Sequence, residues 1–298
     1  MVVPGSTGRL DGSSRAMVLR RKRQLTDRTG GVDWYGHERP LGGAGTGTVV
    51  AHAGFEALVL ATAGLLVAGV VKGSIGLGQN VVAVPFLGHA VGLKAAVPII
   101  VLTNLATNAG QMWSSRSGMV RSRSLLVLTL FGFGGIVAGT LLFTTAKETV
   151  LGELLAGVIV MYVVVRSLRP EFRIGTTTGK VVGAPAAVLV GFLQGATGVS
   201  GPVLATYLNA VGFRKEAFVF TMAAVFEVLT AFQVAYLAVL RHYDLTRVAL
   251  SAAALVPLLG GLAIGSALRQ HLSTESFERI VLAGLLVLAL ETLVTSLA

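Results

Sequence analysis

Apolar residues dominate eight stretches of the chain, and short polar segments separate these stretches. They cover about residues 53–90, 95–115, 121–144, 149–168, 181–211, 215–240, 246–269 and 277–297. A helix of about 20 residues rises roughly 30 Å, which is the thickness of the hydrocarbon core of a bilayer. The pattern therefore predicts an all-α, polytopic membrane protein with about eight transmembrane segments.

Two of these stretches, 53–90 and 181–211, are too long for one straight helix, and glycines interrupt each of them near its middle. An interrupted segment is either a broken helix that crosses the membrane once or two half-helices that fold back. The two arrangements give different numbers of crossings. Under the positive-inside rule, one crossing per segment places nine basic loop residues inside and six outside. This count favours eight crossings with both termini in the cytoplasm.

The two interrupted stretches also resemble each other. Gly69–Asn80 aligns without gaps with Gly191–Pro202 at an offset of 122 residues, and the shared pattern is G-x-x-x-G-x-x-G. An internal repeat of this kind is typical of transporters, in which the site lies where the repeats meet. The alignment predicts two homologous membrane repeats, 53–168 and 181–298, which a cytoplasmic linker at 169–180 joins.

Composition and charge agree with a membrane protein. Only 13% of the 298 residues are charged, whereas a soluble protein has roughly 25%. Residues 1–52 hold eight basic and four acidic residues without any apolar period, which predicts a basic, disordered cytoplasmic tail. A solvated tail that helps to orient the first helix is favoured over a contact with anionic lipid or nucleic acid, and no nucleic-acid partner is expected.

Polar residues follow the glycines at the centre of each interrupted stretch. A helix break in hydrocarbon is tolerated only where protein or a water-filled cavity satisfies the backbone, and the next half-helix then offers free N–H groups to an anion. Glycines at this spacing also permit close helix packing, but packing needs no polar side chains. The predicted substrate-binding residues at the breaks are Lys72, Gly73, Gly76, Gly78, Gln79, Asn80, Gln194, Gly195, Thr197, Gly198, Ser200 and Gly201.

Two ionisable residues and one amide complete the predicted site. Lys72 either attracts the anion or extends its ammonium group toward the interface. Glu227, inside 215–240, either carries a coupling proton, neutralises Lys72, or is a protonated acid that joins helices. Asn104 shares one helix face with Asn108 and Gln111. We expect this polar face to line the pathway rather than only to join helices.

The paired motifs Lys72–Gly78 and Gln194–Gly201 in an eight-segment chain resemble the sulfite exporter TauE/SafE family, over roughly residues 55–297. The resemblance implies an inner-membrane permease for small sulfur-containing anions, such as sulfite or organosulfonates, that an ion gradient energises. That family usually has a run of glycines after the motif. This chain instead has Gln79 and Asn80 in one copy and Gly201 and Pro202 in the other.

The predicted function is therefore secondary active transport of a small anion across the cell membrane. The expected partners are that anion, the lipid bilayer and a proton or another coupling ion, and self-association into a homo-oligomer stays open. No cofactor, metal or catalytic residue is expected, because no His or carboxylate group has metal-ligand spacing and no Walker lysine is found. A membrane-embedded enzyme and a passive channel or assembly subunit are the alternatives, and broken, repeated segments favour a transporter.

Overall fold

A computed structural model describes residues 55–119, 123–168 and 173–268. These ranges contain nine α-helices and no strand. The helices are α1 (Phe55–Ile75), α2 (Gln79–Val91), α3 (Leu93–Ser114), α4 (Arg123–Thr145), α5 (Glu148–Leu168), α6 (Thr176–Thr197), α7 (Gly201–Val211), α8 (Lys215–Val239) and α9 (Leu245–Leu268). The predicted tail at 1–52, the whole of the last segment at 277–297 and part of the linker lie outside the described residues.

Five of the described helices are long and apolar enough to cross a membrane, namely α1, α3, α9 and most of α4 and α8. Large apolar side chains such as Leu130, Val181 and Val256 are exposed on the helix surfaces, as expected for helices that face lipid. The described part of the chain is thus all-helical, and the chain is a multi-pass membrane protein, so this part of the sequence prediction is confirmed.

The first interrupted segment folds back on itself at its break. Gly64 in α1 lies against the Phe86 side chain in α2, while Val71 in α1 lies against Gly78 at the turn. These two contacts make α1 and α2 antiparallel. Since α2 has 13 residues, it is only about 20 Å long, which is shorter than the hydrocarbon core of a bilayer.

The second interrupted segment folds back in the same way. The Tyr207 hydroxyl in α7 donates a hydrogen bond to the Gly179 carbonyl in α6 at 3.1 Å. The N–H of Ile174, just before α6, donates to the Ala210 carbonyl in α7 at 2.9 Å. The expectation that each interrupted segment crosses the membrane once therefore needs correction, because each forms a hairpin of a long helix and a short helix.

Glycine permits both hairpin turns. Gly76 has φ 81° and Gly198 has φ 73°, a left-handed conformation that glycine adopts without steric cost. The Gly76 N–H donates to the Lys72 carbonyl at 2.7 Å, and the Gly198 N–H donates to the Gln194 carbonyl at 2.9 Å. The sequence alignment pairs these positions, so aligned residues end both long helices with the same backbone geometry.

Helices α3 and α8, which follow the two hairpins, pack against each other and run in opposite directions. At one end, Gly118 lies against the Glu216 backbone at the start of α8. At the other end, the Tyr243 hydroxyl beyond α8 donates to the Pro98 carbonyl near the start of α3 at 3.1 Å. The helices that the alignment pairs are therefore antiparallel.

Close glycine contacts join each hairpin to a helix from the other part of the chain. Helix α1 packs on α9, and α6 packs on α4. A Cβ added at Gly69 would lie 2.2 Å from the Leu258 carbonyl oxygen in α9, and one added at Gly191 would lie 2.0 Å from the Gly132 oxygen in α4. The backbones touch at these glycines, so each hairpin packs directly on the backbone of that helix.

Candidate functional site

A cavity lies where the first hairpin turn meets α3, α8 and the start of α7. Its water-accessible volume is about 40 Å³, which is room for about three water molecules. The residues that line it are Lys72, Gly76, Leu77, Gly78, Gln79, Asn80, Val81, Asn104, Asn108, Gln111, Gln194, Gly201, Met222, Ala223, Phe226 and Thr230. Eight of the predicted site residues are among them, and the other lining residues come mainly from α3 and α8.

Lys72 is buried on the last turn of α1, with 6% of its side chain exposed. Its Nζ donates to the Thr107 hydroxyl at 2.9 Å and to the Asn108 Oδ1 at 2.6 Å. Both acceptors are neutral, and an ammonium group has three N–H donors. One donor is therefore left for another acceptor in the cavity. These contacts contradict the alternative in which the ammonium group extends to the interface.

Two further amides of the first repeat are fixed by hydrogen bonds. The Gln79 Nε2 donates to the Asn104 Oδ1 at 2.8 Å, and the Gln111 Nε2 donates to the Gly76 carbonyl at the hairpin turn. Gln79 is 3% exposed, and its Oε1 has no hydrogen-bond partner. The polar face of α3 therefore both supports the turn and lines the cavity.

Amides also support the second hairpin. The Gln194 Nε2 donates to the Gln233 Oε1 at 3.1 Å, and the Ser200 hydroxyl donates to the Gln194 Oε1 at 2.9 Å. The Gln233 Nε2 donates in turn to the Gln194 carbonyl at 3.0 Å. Gln233 follows Gln111 by 122 residues, the offset of the repeat. That offset is the sequence signal that could have identified Gln233 as a site residue.

One hydrogen bond connects the two hairpins directly. The Asn80 Nδ2, at the start of α2, donates to the Gly198 carbonyl at 2.6 Å. The Gly198 backbone is the turn of the second hairpin, so this bond pairs an acceptor that the left-handed turn leaves exposed. The two predicted breaks are thus in contact, with the cavity beside them.

The remaining predicted residues take supporting positions outside the cavity lining. A Cβ at Gly73 would lie 2.4 Å from the Leu262 oxygen in α9, and one at Gly195 would lie 2.7 Å from the Ile136 oxygen in α4. The Thr197 hydroxyl accepts from the Val199 N–H at 3.1 Å. Gly73 and Gly195 are therefore packing positions, while Thr197, Gly198 and Ser200 build the second turn.

Glu227 lies on α8, and its charge interacts with that of Lys72. Its Oε2 is buried without a hydrogen-bond partner. The residue is not among those that line the cavity. Glu227 therefore interacts with Lys72 through its charge and does not line the cavity.

The two sides of the cavity differ in polarity. At the offset of the repeat, Asn104 in α3 corresponds to Phe226 in α8, and Asn108 corresponds to Thr230. Met222 and Ala223 add to the α8 side. The sequence analysis missed this apolar side, because isolated apolar residues in a membrane helix carry no signal of a site.

No group of three or more metal-ligating side chains occurs within the described ranges. The cavity instead combines one basic group, neutral amides and a hydroxyl. Such a set can hold a small anion by charge and by N–H and O–H donors, without a cofactor.

A family model described as the sulfite exporter TauE/SafE family matches residues 60–292. Comparisons with curated proteins and with solved structures give no significant match. Since the family model covers most of the chain, including both hairpins and the cavity, the chain belongs to the sulfite exporter TauE/SafE family.

Proposed function

We propose that this family member is a secondary active transporter of a small anion, with sulfur oxyanions such as sulfite or organosulfonates as its substrates. Membership of the family implies a membrane exporter of sulfur anions. The observation that carries the proposal for this chain is the buried Lys72, which faces a cavity of amides beside two helix turns. A buried cation needs a compensating anion or polar partners, and the ligand would supply the first.

The pairing of the hairpins supports alternating access. In the proposed architecture, two homologous four-segment repeats, 53–168 and 181–298, have inverted topology, as the antiparallel α3 and α8 suggest. Hairpins that enter from opposite sides and meet at one cavity are the arrangement in which rocking of one repeat exposes the site to each side in turn. The Asn80 bond to Gly198 would break or move in that step.

Coupling is assigned to the interaction between Lys72 and Glu227. Without an anion, the Glu227 carboxylate compensates the charge of Lys72. A bound anion takes over that role and favours uptake of a proton, or another cation, at Glu227. This exchange is the proposed link between anion movement and an ion gradient, and it requires no contact between Glu227 and the substrate.

We infer the orientation from the helix directions. With both interrupted segments folded back, four basic residues of the described ranges lie at the Phe55 end of the helices, namely Lys94, Lys147, Arg241 and Arg247. Seven lie at the opposite end, namely Arg116, Arg123, Arg166, Arg173, Lys180, Arg214 and Lys215. In the tail, Arg39 alone falls within about 20 residues of α1. We therefore propose that the Arg116 end is cytoplasmic, which replaces the cytoplasmic tail predicted from one crossing per segment.

The transport proposal is tested with purified protein in liposomes. Flux of sulfite, organosulfonates, carboxylates and chloride is measured with and without a pH gradient. Selective, gradient-dependent flux of sulfur oxyanions is expected. Lys72→Met should lower this flux at unchanged protein content, whereas Lys147→Met, at an exposed lysine outside the cavity, should not. Equal flux in all three proteins would remove Lys72 from the site, and gradient-independent conduction would instead indicate a channel.

The orientation is tested by cysteine labelling, since the chain has no native cysteine. Lys147→Cys and Ser117→Cys each place a single thiol in an exposed connection between helices, and the two connections lie at opposite ends of the helices. A membrane-impermeant maleimide should label the first in intact cells or spheroplasts and the second only after disruption. The reverse pattern would restore the cytoplasmic tail.

A further inference from the structure

Gln79, which lines the cavity, has a buried hydrogen-bond acceptor without a partner. Its side chain is 3% exposed, and its Nε2 is used by the bond to Asn104 Oδ1. Its Oε1 is buried without a partner. An amide oxygen cannot donate, so it is satisfied by an N–H or O–H donor or by a cation. An anionic ligand can bring only the donor.

Several of the other polar side chains that line the cavity have hydrogen-bond donors available. The Asn104 Oδ1 accepts from Gln79, and the Asn108 Oδ1 accepts from Lys72, so both of these amides have their Nδ2 hydrogens available. Lys72 retains one N–H, and the Thr230 hydroxyl is buried without a partner. The cavity therefore offers several donors together with the amide oxygens of Asn80 and Gln111, and the Gln79 oxygen is the buried one among its unpaired acceptors.

The cavity also has little positive charge. Among the described residues that line it, Lys72 alone is ionisable, and its charge is partly compensated by Glu227. A dianion would bring a second negative charge that no cation of the cavity lining balances.

We propose, on the basis of the proposed function, that the cavity selects a monoanion that carries its own donor, hydrogen sulfite rather than the sulfite dianion, and that Gln79 is the specificity-determining residue. The anionic oxygens accept from Lys72, Asn104 and Asn108, and the ligand's hydroxyl donates to Gln79 Oε1. Hydrogen sulfite gains a hydrogen bond to that oxygen, whereas a ligand without a donor leaves it unpaired and therefore binds roughly 5- to 150-fold less well.

The first test compares two anions on the wild-type protein in liposomes. Sulfite is measured over a pH range in which both of its protonation states are populated, and methanesulfonate serves as a monoanion of similar size without a donor. Flux is expected to follow the concentration of hydrogen sulfite rather than total sulfite. Methanesulfonate should compete roughly 5- to 150-fold less well at the same pH. Lys72 and Glu227 titrate equally for both anions at a given pH, so the ratio isolates the ligand's donor.

The second test uses two variants of similar shape. Gln79→Met also removes the bond to Asn104 Oδ1, so it should weaken both anions. It should weaken hydrogen sulfite more than methanesulfonate, which reduces the preference. Thr230→Val keeps the Gln79 oxygen and should keep the preference, even if both anions bind less well. Loss of the preference in Thr230→Val, or its retention in Gln79→Met, would overturn the role of Gln79.

The outcomes separate this inference from the function on which it rests. Equal competition by methanesulfonate and hydrogen sulfite in the wild type, or flux that follows the dianion, overturns the inference while anion transport stands. Absence of flux for every anion, with folded protein shown, overturns both. The wild-type comparison needs no variant, so it decides the question even if Gln79→Met does not fold.

Discussion

Adjacent glycines in α4 allow a sharp test of how the helices are held together. Gly135 faces α6, where an added Cβ would lie 2.1 Å from the Val188 carbonyl oxygen and 2.7 Å from the Phe192 nitrogen. Gly134 is its neighbour in the same helix, and a Cβ there would have nothing within 4 Å. Gly135→Ala and Gly134→Ala therefore make the same chemical change in opposite surroundings.

The expected magnitude follows from these distances. Ordinary contact begins at 3.4 Å, so Gly135→Ala requires the two helix backbones to separate by about 1.3 Å in that direction, the difference between 3.4 and 2.1 Å. Backbone atoms cannot move aside as a side chain does, and overpacking of this kind costs about 1–3 kcal/mol or more. Gly134→Ala removes the entropic cost of a glycine inside a helix, so it should be neutral or stabilising by up to about 1 kcal/mol.

Thermal unfolding of the two purified variants in one detergent or nanodisc measures the difference. Gly260 and Gly261 in α9 repeat the arrangement, because a Cβ at Gly261 would lie 2.1 Å from the Leu66 oxygen, whereas one at Gly260 would be 3.9 Å from its nearest neighbour. Gly261→Ala should therefore be destabilising and Gly260→Ala should not. Equal unfolding temperatures for the members of either pair would refute the packing argument.

Three further substitutions test other contacts. Asn80→Ala removes the bond to the Gly198 carbonyl and leaves a buried acceptor unpaired, so the same melt should show a loss of about 1–3 kcal/mol, and an unchanged melt would contradict this. Tyr243→Phe removes the bond to Pro98 and should cost about 0.5–1.5 kcal/mol by the same measurement. Burial lowers the pKa of His242 in the turn between α8 and α9, and nearby Arg247 and Lys94 lower it further. The unfolded state, with a pKa of about 6.5, then binds the proton better, so stability should fall as pH drops below about 6.5. His242→Gln should show less of this acid-side loss in melts at several pH values, and an equal loss would exclude His242 as its source.

The sequence predicted the parts of the site that depend on local composition. Its apolar stretches gave the helices, and the aligned glycines located both breaks, because a left-handed residue in a membrane helix is nearly always glycine. Lys72, Gln79 and Asn104 were identified because a polar group in an apolar stretch needs a partner or a ligand. The hydrogen bonds of Lys72 to Thr107 and Asn108 and of Gln79 to Asn104 required the tertiary structure, since α1, α2 and α3 come together only in the folded chain.

The sequence alone could not assign each glycine its role. Gly73 and Gly76 belong to one motif, yet Gly73 packs on α9 while Gly76 forms the turn. The same residue type serves in packing and in the turn, and only the surrounding backbone in the folded chain distinguishes the two roles. Phe226 and Thr230 were missed for a related reason, because their only distinction is the side of α8 that faces the cavity.

The sequence by itself determined that this chain is a helical membrane protein, where its long segments break and which basic residue lies at a break. These properties depend on residue type and spacing along one segment. The tertiary structure decided that the broken segments fold back, that α3 and α8 are antiparallel and that Gln79 keeps an unpaired oxygen. These features depend on contacts between helices, such as that of Gly64 with Phe86. Hydropathy does not predict such contacts, because it is the same for a helix that runs upward or downward through the membrane.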